Sequence, residues 1–166
     1  SLSRLLINSF QKAKIIIIDL PEVNFLSSYF LLRHFPKKKF LMYSDLQENF
    51  ISSQKISNHD IIIIPPWVDL DNLKIDIFIN IRSFMEMDLE VIKKYFSLIQ
   101  RKIKKNGIFV NINRYDKRTV GYPIKLANYP YDKNWSVLVS KPTWSHSNVH
   151  TLITKRDFDF SDINKA

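Results

Sequence analysis

The feature that most constrains this chain is the run Lys14 to Glu22, which reads KIIIIDLPE. Four consecutive β-branched residues lose rotamer freedom in a helix but pack well on a pleated surface. An unbroken apolar run between polar flanks is the pattern of a strand buried on both faces of a parallel sheet. Pro21 follows at once, and its fixed φ and missing N–H suit the first turn of a helix. The chain must therefore leave a strand, turn within two residues and run back along the sheet. Asp19 falls at that turn. In open α/β sheets ligands bind beyond the carboxyl ends of the strands, and a carboxylate there can accept both hydroxyls of a ribose. A nucleoside-type ligand is the first expectation, although an acid in this place can also cap the following helix.

Composition removes several alternatives. The 166 residues are enough for one domain with a real core, so residues 1–166 are read as a single domain. The absence of cysteine excludes disulfides and thiolate metal sites, and points to a reducing cytoplasm. No apolar stretch approaches the roughly 20 residues that cross a bilayer, and SLSRLLINSF is too short and polar for a signal peptide, so a soluble chain is expected. The formal charge of +9 comes from 25 basic residues of which 18 are lysine, which gives charge without bidentate base reading. Without stacking aromatics or a reading motif, no nucleic-acid partner is expected. The only two glycines, Gly107 and Gly121, are 14 residues apart, so neither a P-loop nor a glycine-rich dinucleotide turn can be built.

Periodicity supplies the elements. Leu2 to Lys12 has helical spacing and leads into a strand at Lys14 to Leu20; Pro21 to Phe35 is a helix stopped by Pro36. Lys39 to Ser44 is a second strand, followed by Asp45. Leu46 to Asn58 is weakly helical. Asp60 to Pro66, DIIIIPP, is another buried-strand run, Trp67 to Lys74 a loop, and Asp76 to Ile81 a strand. Leu89, Ile92, Phe96, Ile99 and Ile103 mark a helix from Asp88 to Lys105, closed by Gly107 as a left-handed cap. A strand at Ile108 to Ile112 follows. Asn113 to Asn134 is long and aperiodic, which favours a functional loop, and Trp135 to Ser140 and Val149 to Lys155 close the chain as two strands. Alternating strands and helices predict an α/β three-layer sandwich, a Rossmann-like mostly parallel sheet with an antiparallel strand near the C-terminus. On its ligand edge should gather Asp19 and Glu22, Ser44 and Asp45, Arg82 to Glu86, and Asn113 and Arg114.

IIIIDLPEV at 15–23, DIFINIRSFMEM at 76–87 and NGIFVNINR at 106–114, in this order, resemble class I S-adenosylmethionine-dependent methyltransferases, and within them the sugar O-methyltransferases. The likeness covers about Lys14 to Arg156; the second segment is its most specific part, while DLPE is common to other O-methyltransferases. It implies S-adenosylmethionine as cofactor. Asp19, with Leu20 beside it, would bind the ribose, and Ser44 and Asp45 would lie near the adenine. Ser83 and Glu86 would flank the transferred methyl group. The family's first strand and glycine-rich loop have no counterpart, and the DIIIIPP strand is additional to the family pattern and has no assigned place in the sheet. The expectation is the C-terminal part of a larger enzyme; the alternative is a non-catalytic Rossmann-like module that has lost the cofactor site.

Methyl transfer to a hydroxyl needs a group that removes its proton. The turn Lys141 to Asn148, KPTWSHSN, should open onto the ligand edge, which makes His146 the first candidate base, with a solvent-facing histidine as the plainer reading. His146 and His150 stand on a turn and a strand, so no zinc clamp and no metal is expected. Arg82 and Arg114 could bind an acidic or nucleotide-linked sugar or pair with surface acids. Glu86 could orient the acceptor hydroxyl or charge the start of the long helix. Trp144 with Tyr115, Tyr122, Tyr129 and Tyr131 could form a platform for a sugar ring or staple the long loop to the domain, and Met85 and Met87 read as core contacts. The expected partner is a small-molecule or saccharide substrate. The sequence leaves the acceptor and the oligomeric state open.

Overall fold

The computed structural model describes residues 2–70, 73–118, 123–144 and 146–158, and these form two compact units, 1–73 and 74–166. Gly121, Tyr122 and Ser145 lie outside the described residues.

The first unit runs α1 (Leu2–Ser9), β1 (Ile15–Ile18), α2 (Pro21–His34), β2 (Phe40–Met42), β3 (Phe50–Ile51), α3 (Ser53–Asn58), β4 (Ile61–Ile64) and β5 (Asp69–Leu70). Its main sheet has the order β1-β4-β2, all parallel. The DIIIIPP strand is therefore central. Its alternate side chains serve opposite cores: Ile61 and Ile63 pack with Ile7 of α1 and Leu31 of α2, and Ile62 and Ile64 pack with Ile56 of α3, Ile51 and Leu70. All four are buried, whereas the four isoleucines of β1 are only half-buried because β1 is an edge strand. The expectation of full burial thus holds for the second isoleucine run and not for the first. Leu46 to Asn58 is helical only from Ser53, where the Ser52 hydroxyl accepts the Lys55 N–H; before it, β3 pairs with β5. Asp60 enters β4 with its carboxylate accepting the Lys39 N–H at 2.8 Å, a bond that holds its pKa below the ordinary range.

The second unit runs β6 (Ile75–Ile81), α4 (Leu89–Lys102), β7 (Ile103–Arg114), β8 (Asp116–Lys117), β9 (Ile124–Lys125), β10 (Trp135–Pro142) and β11 (Val149–Arg156). The sheet order is β10-β11-β7-β6, with β6 parallel to β7 and the other two pairs antiparallel. α4 lays Ile92, Phe96 and Ile99 on Phe109 of β7, in one core with Phe84, Leu126 and Tyr129. Each taken by itself, the units give a mixed α/β chain whose strand pairing is mostly parallel with an antiparallel set toward the C-terminus, as the sequence predicts.

Two sequence expectations fail here. The helix ends at Lys102, and the left-handed residue is Asn106, at φ 64°, not Gly107. Gly107 lies inside β7, where a Cβ would meet the Lys104 carbonyl at 2.9 Å and the Asp76 carbonyl at 3.1 Å. Glycine is needed there for close backbone approach rather than for its φ. Asn113, placed by sequence beyond a strand, is within β7 and fully buried.

Candidate functional site

In the first unit the three parallel strands end on one edge. The registers Ile18↔Ile64 and Met42↔Ile63 set their carboxyl ends level to within a residue. Asp19 follows β1, Pro65 to Trp67 follow β4, and Tyr43 to Asp45 form a 3-10 turn after β2. Since β1 and β2 flank β4, the strand ends that precede Asp19 and Asp45 stand about 10 Å apart along the edge, two strand spacings, which is comparable with the length of a nucleoside.

Asp19 is exposed and is not a helix cap: the N-cap of α2 is Leu20, with no side-chain cap bond. One Asp19 oxygen accepts the Leu20 N–H at 2.9 Å, and its backbone carbonyl accepts the amide of the buried Asn24 at 2.8 Å, which fixes the turn. The other oxygen has no partner among the described residues. Asp45 has a more local duty, accepting the Met42 N–H at 2.8 Å to close the 3-10 turn. Ser44 and Leu20 are exposed beside these acids.

Sequence reasoning missed two residues on this edge. Tyr43 and Trp67 meet edge to face with ring centroids 6.0 Å apart; the Trp67 indole donates to the Tyr43 hydroxyl, which donates to Asn49. Beside Tyr43 an open hollow of about 380 Å³ is lined by Tyr43, Ser44, Leu46, Gln47, Glu48 and Asn49. Their signal was available: each aromatic stands one to three residues past the end of a parallel strand. The edge offers a free carboxylate oxygen, a second acid and an aromatic wall, which fits the adenosine half of S-adenosylmethionine. Among the described residues of this unit no glycine turn serves the methionine half.

The second unit gathers its candidates on one edge by itself. β6 and β7 end there and β11 begins there, so the turn between β10 and β11 opens on the same side. Arg82, Ser83, Glu86, Trp144 and His146 are all exposed, Trp144 completely, and Arg114 is half-buried. Arg82 and Glu86 have no side-chain hydrogen bond or ion pair among the described residues. The carbonyl of His146 accepts the Val149 N–H at 3.0 Å and the Thr143 hydroxyl at 2.7 Å, which closes the turn.

Beneath these exposed groups lies a buried amide network. Asn113 donates to the side-chain carbonyls of Asn80, at 2.9 Å, and Asn111, at 2.6 Å; Asn111 donates to the Tyr131 hydroxyl at 3.0 Å. The same network holds the chain after β6, because the Asn80 oxygen accepts the Phe84 N–H and the Asn113 oxygen the Met85 N–H, each at 3.1 Å. Phe84 and Met85 are thereby drawn into the core while Ser83 and Glu86 stay on the surface. Arg82 is left at φ 62° with its N–H on the Ile112 carbonyl at 2.7 Å, a left-handed conformation that costs a non-glycine residue about 1 kcal/mol or more.

The platform expected of the tyrosines does not form from Tyr129 and Tyr131, which are stapled into the core against Phe96. Burial pushes both phenols well above their ordinary pKa. Tyr115 and Trp144 remain exposed. Met85 and Met87 pack in the core as expected. An open hollow of about 270 Å³ between α4 and Pro130 to Asp132 lies toward the opposite edge and holds none of these groups. Among the described residues no three metal-ligating side chains gather, and no helix is long and apolar enough to cross a membrane.

No family model matches the chain, and no curated protein matches it. Among solved structures it is similar to the PH0226 protein from Pyrococcus horikoshii OT3, with a TM-score of 0.52 and 10% identity over 94% of this chain and 88% of that one. At this identity the likeness shows the fold alone. It is also similar to a "putative type 11 methyltransferase" from Sulfolobus solfataricus, with a TM-score of 0.43 and 20% identity over 96% and 94% of the two chains. A third is the pyocyanin biosynthetic protein PhzM, with a TM-score of 0.43 and 9% identity over 91% of this chain and 53% of that one. These two scores are too low to carry an argument.

Proposed function

We propose that the chain is an S-adenosylmethionine-dependent O-methyltransferase domain acting in the cytoplasm on a hydroxyl of a sugar or polysaccharide precursor. The observation that carries this reading is Asp19, an exposed carboxylate with one oxygen free, at the carboxyl end of a parallel strand and on the same edge as Asp45 and the Tyr43–Trp67 pair. The resemblance of IIIIDLPEV, DIFINIRSFMEM and NGIFVNINR to sugar O-methyltransferases supports the class of reaction and acceptor.

When bound, the cofactor supplies an electrophilic methyl group. The residues of the first unit would hold it: the free oxygen of Asp19 would accept ribose hydroxyls with Leu20 beside the sugar, and Ser44, Asp45, Tyr43 and Trp67 would serve the adenine. In the second unit Arg82 and Arg114 hold acidic groups of the acceptor and Trp144 lies on a sugar face. Ser83 and Glu86 orient the acceptor hydroxyl, and the His146 imidazole takes its proton.

Calorimetric titration with S-adenosylhomocysteine tests the reading. The chain should bind it, and Asp19→Ala should weaken binding at least about tenfold, the loss of one or two charge-assisted hydrogen bonds. No heat from the unaltered chain, or equal affinity in the variant, overturns it.

A further inference from the structure

α2 is apolar on more sides than its own unit covers. Leu31 faces the sheet at 1% exposure, but Phe25, Leu26, Tyr29 and Leu32 point outward at 73, 67, 59 and 42%. A single exposed apolar side chain is ordinary, while a contiguous stripe along one helix marks a surface that another surface covers.

At 3.6 residues per turn, Glu22, Leu26, Tyr29 and Arg33 fall within an arc of roughly 60° on the side away from the sheet. Their spacing of four, three and four is that of the seam in a two-helix packing. The seam reads acid, apolar, aromatic, base, and this order is self-complementary. A second α2 laid antiparallel about a two-fold axis between residues 27 and 28 sets Glu22 opposite Arg33 of the second copy. It also sets Leu26 opposite Tyr29 of the second copy, and both contacts occur twice. Parallel alignment would set Glu22 beside Glu22 and Arg33 beside Arg33, so charge selects the antiparallel arrangement.

The charged ends are prepared for this. Arg33 donates to the Tyr29 hydroxyl at 2.7 Å with its guanidinium 5.5 Å from the ring centroid, which holds it over the seam. The Glu22 side chain has no hydrogen bond or ion pair among the described residues. We propose that this face joins two copies of the chain in an isologous dimer through antiparallel α2 helices. Phe25 and Leu32 lie together on one side of the seam and widen the apolar contact there.

Sedimentation velocity on the full chain, over a micromolar to submillimolar range, tests this with charge reversals at two exposed positions. The unaltered chain should dimerise. Glu22→Arg and Arg33→Glu should each raise the dissociation constant at least about tenfold by facing like charges twice. An equimolar mixture of the two variants should form heterodimers, in which both pairs are again opposite, and the double variant should regain dimerisation. Circular dichroism checks that each variant is folded; where a reversal unfolds the chain, Glu22→Gln or Arg33→Gln replaces it and should weaken association less. A monomer across the whole range overturns the proposal, as does a dimer indifferent to both reversals.

Discussion

Replacing Asn113 with alanine isolates what holds the segment after β6. The Asn113 side chain is fully buried and makes three hydrogen bonds, to Asn80, to Asn111 and from the Met85 N–H. In Asn113→Ala the Asn80 oxygen keeps the Phe84 N–H, but the Met85 N–H and the Asn111 oxygen lose the partners described for them. Leaving a buried polar group unsatisfied costs about 1–3 kcal/mol, so two cost roughly 2–6 kcal/mol. This is a large share of the roughly 5–15 kcal/mol by which domains are stable. With a urea dependence of about 1–3 kcal/mol per molar, the unfolding midpoint should fall by roughly 1 M or more. Urea unfolding followed by circular dichroism measures this, with Asn148→Ala, an exposed amide, as the comparison. Amide exchange should also quicken at Met85 in native conditions. A midpoint shared with the comparison variant, or unchanged exchange at Met85, would refute the reasoning.

Gly107→Ala should destabilise by about 1–3 kcal/mol, because two of the three atoms its Cβ meets are backbone carbonyls that cannot turn aside. Asn106→Gly should cost little, and Asn106→Val about 1 kcal/mol or more, since φ 64° suits glycine and penalises a branched side chain; thermal unfolding of the three variants checks the order. Tyr129 and Tyr131 have folded pKa values raised by burial above the unfolded value near 10, so their contribution is whole below about pH 10 and is lost as pH rises toward the folded values. Ultraviolet titration should find two tyrosines that ionise only as the near-ultraviolet dichroism collapses; reversible ionisation of every tyrosine with that signal intact would contradict this.

How much of this fold a sequence discloses depends on whether the cause is local. α4 was legible because its 3 and 4 spacing is itself the core contact with Phe109. The two isoleucine runs were legible as strands but not as central and edge, since pairing order is decided between segments some 45 residues apart, Ile15 with Ile61. β3 and β5, two residues each, are too short to show any period. Lys105, Asn106 and Gly107 mimic a helix cap, yet the close approach of Asp76 to Gly107 is a tertiary fact no local pattern carries. At the candidate site the acids at strand ends were visible by chemistry. Their place after a strand end aside, nothing in the local sequence sets Tyr43 and Trp67 apart from core aromatics, and of the two readings open for Tyr129 and Tyr131, a sugar platform or a staple for the long loop, their packing in the core matches the staple. Asn80, Asn111 and Asn113 showed as polar residues in apolar strands; only coordinates show them bonded to one another.

The central claim is that the carboxyl edge of the first unit's sheet receives an adenosine. Amide and indole resonances of the isotopically labelled chain, followed while S-adenosylhomocysteine is added, test it most directly. The account expects the largest shifts at Asp19, Leu20, Tyr43 to Asp45 and the Trp67 indole. A spectrum that stays still at those residues, or that moves only at the opposite end of the β1-β4-β2 sheet, would contradict it.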